Sequence, residues 1–72
     1  MNEFEKNLED LEYRVKELKK ELRRIKSAIN KVEKLGLLPP SEILFKKEDV
    51  ECMLKERKEE LKALKKVAKL IK

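Results

Sequence analysis

The 72-residue chain has no histidine, tryptophan, glutamine or threonine, and it has one glycine, two prolines and one cysteine. Each absence removes a class of chemistry. Without histidine there is no imidazole base and no Glu-x-x-His metal motif. Cys52 alone forms no intrachain disulfide and no cysteine zinc site. Ser27 and Ser41 have no base to activate them, and Gly36 stands alone, so there is no phosphate-cradling loop. The acid pairs Glu48-Asp49 and Glu59-Glu60 sit among lysines and read as solvated helix faces. The expectation is a protein that is not an enzyme, with no catalytic residue, cofactor, metal or small-molecule substrate.

Long apolar runs are missing too. None approaches the ~20 residues of a membrane span. The opening Met1-Asn2-Glu3-Phe4-Glu5 lacks the basic and apolar regions of a signal peptide. With a single unpaired cysteine, the reading is a cytoplasmic protein with no membrane partner.

What is present is charge. Charged residues make up 49% of the chain, a level that alone suggests disorder; the regular spacing of the 40% hydrophobic content argues for folding instead. Lysine and glutamate enrichment of this kind points to a thermophilic source, although coiled coils share it.

Phe4, Leu8, Leu11, Val15, Leu18, Leu22, Ile25, Ile29 and Val32 alternate steps of four and three. That is a heptad seam, with Leu8, Val15, Leu22 and Ile29 at a and Leu11, Leu18, Ile25 and Val32 at d. Gly36 is placed to close a helix in the left-handed conformation, with Leu37 offering an apolar contact back to Val32, and Pro39 and Pro40 forbid continuation. A second series then runs Ile43, Lys47, Val50, Leu54, Arg57, Leu61, Leu64, Ala68, Ile71. The expectation is one all-α domain over 1–72: helix 2–35, turn 36–40, and helix 41–72 with Ser41 as its N-cap. A rival reading starts the second helix near Glu48 and leaves Ile43-Leu44-Phe45 as a packed loop.

The short link makes the helices antiparallel neighbours. Charge agrees. Glu3, Glu5, Glu9, Asp10 and Glu12 open the chain against Lys6 alone, while Lys62, Lys65, Lys66, Lys69 and Lys72 close it. Folding back at Leu38 sets these stretches side by side, each at the helix end its charge prefers. The same fold-back brings Arg57, a polar interruption at d, near Glu17 and Glu21. Lys47, at a, is expected to snorkel to water.

Helix two carries apolar residues beyond a and d, a width that suits bundles of more than two helices. The expected completion is a homodimer forming a four-helix bundle, against a monomer whose extra apolar residues merely cap its ends. Function is read as a protein-interaction or adaptor module, a small accessory subunit of a larger complex. Its contacts with itself or another protein would come from Leu44, Phe45, Met53, Arg57, Val67 and Leu70, with the Leu37-Leu38 tip. The alternative is non-specific nucleic-acid binding through Lys16, Lys20, Arg23, Arg24 and Lys31, which face outward on helix one. Against that stand the acids of helix two and the lack of an aromatic stacking platform; a solvated face explains the strip equally well.

Overall fold

The structure is a computed structural model, and it describes residues 3–71. Two helices, α1 (Glu3–Lys34) and α2 (Ser41–Leu70), pack against each other as a hairpin, in a rod of 54 × 17 × 16 Å. The expected helix positions Asn2 and Lys72 lie outside the described residues. Leu35 belongs to the turn rather than to helix one.

The heptad pattern is the contact surface. All nine seam residues of α1 are buried or half-buried, and so are eight of the nine in the second series; Ile71, just past α2, is exposed. The fully buried set is small: Val15, Ile25, Ile29, Val50 and Leu54. Ile25, Ile29 and Val50 form its centre, with Leu18, Leu22 and Ile43 packed around them. This core lies toward the turn. At the open end Phe4, Leu8, Leu11, Leu64 and Ala68 are only half-buried. Ala68 is too small to fill its seam position, and Arg57 interrupts the apolar series one turn before Leu61.

The turn is built as glycine and proline demand. Gly36 has φ +79°, and its N–H donates to Glu33 O at 3.0 Å while Leu37 N–H donates to Val32 O at 3.2 Å. Those two bonds are the Schellman closure. Leu37 stays 60% exposed, so its expected apolar contact with Val32 adds little to the closure.

The start of α2 corrects one expectation. Ser41 is not the N-cap; it is the first helical residue, and Pro40 caps with φ −59° and ψ 142° and no side-chain bond. The proline ring already holds the extended geometry that a cap residue needs. Pro40 O accepts from the N–H groups of Ile43 and Leu44 at 3.2 and 3.4 Å. Ile43-Leu44-Phe45 are therefore helical, and the reading that starts the helix near Glu48 fails.

The neighbours across the hairpin fit the expected fold-back at Leu38. Phe4 and Leu8 share a hollow with Ala68 and Ile71, and Leu11 and Arg14 share another with Arg57, Glu60 and Leu64. Leu8 with Ala68, and Val15 with Leu61 in a third hollow, stand symmetrically about Leu38.

Candidate functional site

Arg57 forms no ion pair with Glu17 or Glu21, the acids expected beside it from the fold-back at Leu38. Its Nη1 lies 2.7 Å from both carboxylate oxygens of Glu60 on its own helix, and Nη2 lies 3.7 Å from Glu56. Glu17 pairs with Lys20 at 3.8 Å, and Glu21 pairs across the helices with Lys46 at 3.7 Å. Lys47 reaches Glu51 at 3.9 Å, which keeps its ammonium at the wet edge of the seam.

An antiparallel hairpin has two flanks, and here they differ in chemistry. One carries the g positions of both helices. Asn7, Asp10 and Arg14 of α1 line a hollow with Arg57 and Glu60 of α2, above Leu11 and Leu64. Met53 and Val67 stand seven residues to either side of Glu60 on the same line of α2 and are 43% and 45% exposed. This flank therefore alternates apolar and charged groups.

The other flank carries the e positions, where Lys19, Lys58 and Lys65 mark a basic stretch on a flank that also holds Glu5, Glu12, Glu33 and Glu51. Lys19 of α1 and Lys58, Lys62, Lys65, Lys66 and Lys69 of α2 line one groove, whose floor is Val15 and Leu61. Among the described residues none of these six lysines forms an ion pair, whereas Lys20, Lys46 and Lys47 each do. The acidic opening turns of α1 lie nearby but line a separate hollow, where Glu5, Glu9 and Glu12 surround Phe4 and Leu8.

The residues expected to bind a partner are not gathered into one patch. Leu44, Phe45, Met53, Val67 and Leu70 are all exposed, and they run from the first turn of α2 to its last. Leu44 sits at e and Phe45 at f, off the flank that holds Met53, Arg57 and Val67. Of the basic residues expected on helix one, Arg23, Arg24 and Lys31 gather around a shallow hollow with Ser27 and Ala28, while Lys20 is held by Glu17. Lys16 is exposed.

Sequence reasoning missed the lysine groove. The signal was present: Lys19, Lys58 and Lys65 are at e, with Lys62, Lys66 and Lys69 beside them at b and f. Counting charge along each helix hides it; counting charge by flank, after folding back, exposes it.

Among the described residues no three carboxylate, thiol or imidazole groups come together as a metal-binding set, and no helix is long and apolar enough to cross a membrane. No protein-family model matches the chain, and no curated protein or solved structure matches it.

Proposed function

We propose that the hairpin is a non-enzymatic assembly module. It pairs with a second copy into a four-helix bundle and acts as an adaptor or accessory subunit of a larger complex. The observation that carries this reading is exposed area. A compact folded monomer of 8.6 kDa exposes about 4,700 Å² by the usual size scaling, whereas this chain exposes 6257 Å². The excess, about 1,500 Å², exceeds the roughly 800 Å² that each partner buries in a standard stable interface. Five buried side chains among the described residues leave a chain this small short of stabilising contacts, which a second copy supplies.

The flank carrying Met53 and Val67 is the side we assign to the second copy. It holds exposed apolar groups at heptad spacing, with the Arg57–Glu60 pair between them as a polar register mark. Sedimentation equilibrium tests the reading. The expected mass is about 17 kDa, twice the 8.6 kDa chain. A mass of 8.6 kDa persisting into the millimolar range would overturn it. Met53→Glu combined with Val67→Glu should return a helical monomer; an unchanged dimer would place the interface elsewhere.

A further inference from the structure

The basic groove on the opposite flank is a second surface, and assembly through Met53 and Val67 leaves it open. Among the described residues six lysines ring it with no carboxylate in its lining. Like charges crowded on one face repel one another, and i,i+3 and i,i+4 lysines on a helix do so at neighbour distance. An anion laid along them relieves that repulsion.

We propose that this groove binds the phosphate backbone of a nucleic-acid duplex, without reading sequence. Shape and spacing favour a linear, regular polyanion. Lys58, Lys62, Lys65 and Lys69 follow one straight face of α2 over about 16 Å at 1.5 Å per residue. A duplex carries a phosphate about every 1.7 Å of axis over its two strands, a density at which four lysines in a row each have a phosphate within reach. Lysine supplies point charges rather than the planar fork that arginine uses on phosphate or guanine. Among the described residues no arginine and no aromatic ring lines the groove, so it lacks the rigid guanidinium fork for bidentate base contacts and a surface for stacking on bases. An anionic bilayer is a poorer fit, because the apolar floor, Val15 and Leu61, is buried or half-buried beneath the lysines and cannot insert. The acidic turns around Phe4 and Leu8 bound the groove at the open end of the rod, so the duplex lies on the α2 side.

The test is fluorescence anisotropy of a labelled mixed-sequence DNA duplex, titrated with the full chain at several salt concentrations. Four phosphate contacts predict that affinity falls about 150-fold between 50 and 200 mM salt. Replacing Lys58, Lys62, Lys65 and Lys69 with glutamine should weaken binding at least about tenfold at low salt and flatten the log–log salt slope by about three to four. Circular dichroism establishes that this variant, altered only at exposed positions, is still folded. The matched variant Lys16→Gln, Lys20→Gln, Arg23→Gln and Lys31→Gln removes equal charge from the outer face of α1. It should retain most of the affinity and most of the slope. Equal loss in the two variants would mean that net charge, not the groove, does the binding, and would overturn the proposal. So would absence of duplex binding at low salt, or binding to a poly-glutamate peptide or phosphatidylserine vesicles in preference to the duplex. A monomeric chain that still binds DNA through these lysines sinks the assembly reading and leaves this one standing.

Discussion

Arg57 occupies a seam position that an apolar residue would fill better, and Arg57→Leu measures by how much. The arginine side chain is 31% exposed, so about two-thirds of the site is shielded from water. Fully burying a leucine is worth about 1.5–3 kcal/mol, which scales to about 1–2 kcal/mol here. Against that, the substitution removes a half-exposed ion pair with Glu60, worth about 0.2–1 kcal/mol, and the packing of the arginine stem. The net expectation is a stabilisation of about 0.5–1 kcal/mol, or a rise of about 2–8 °C in melting temperature for a chain of this size. The assay is thermal circular dichroism at one fixed protein concentration, since self-association makes the midpoint concentration-dependent. Light scattering on the same samples should reveal additional assembly states, because the polar register mark is gone. Glu60→Gln and the double variant complete a cycle that isolates the pair. If Arg57→Leu lowers the melting temperature, Glu60→Gln lowers it as much, and the double variant is no worse than either, then the ion pair outweighs the seam contact. Arg57 then stabilises the hairpin more than an apolar residue would.

Two further substitutions separate backbone from packing. Gly36→Ala meets no atom within 4 Å, so its cost is that of a left-handed alanine alone, about 1 kcal/mol, and a melt should fall by about 4–8 °C; D-alanine introduced there by peptide ligation should cause no loss. Val50→Ala, at the most buried position, removes two methyl groups and leaves a cavity, for a loss of about 2–3 kcal/mol in urea unfolding. Leu38→Ala, at 93% exposed, should stay within about 0.5 kcal/mol in the same assay.

Much of the hairpin was legible because its signals are local. The four–three alternation places each apolar residue on one face wherever the helix happens to lie, and the structure buries or half-buries nearly all of them. Gly36 declares its own conformation, since a positive φ costs only glycine nothing. Ser41 misled for an equally local reason: a good cap residue stood beside a proline whose ring already supplied the cap geometry.

Arg57 was harder to read because several acids lie within reach of one long side chain. Glu56 and Glu60 stand on its own helix, Glu17 and Glu21 on the other, and it takes Glu60 at i,i+3 while Glu21 pairs with Lys46. The lysine groove was harder to read because charge counted along one helix does not show which residues of the other helix share its flank.

The sequence by itself therefore determined the two helices, their facing stripes and the point where the chain reverses, because each follows from helical periodicity or from the backbone limits of glycine and proline. Tertiary structure alone decided which charged side chains pair and which gather on one flank, because several partners lie within reach of each and no local rule chooses among them. Five of the six lysines around Val15 and Leu61 lie between Lys58 and Lys69 of α2, and Lys19 of α1 joins them only when the hairpin closes.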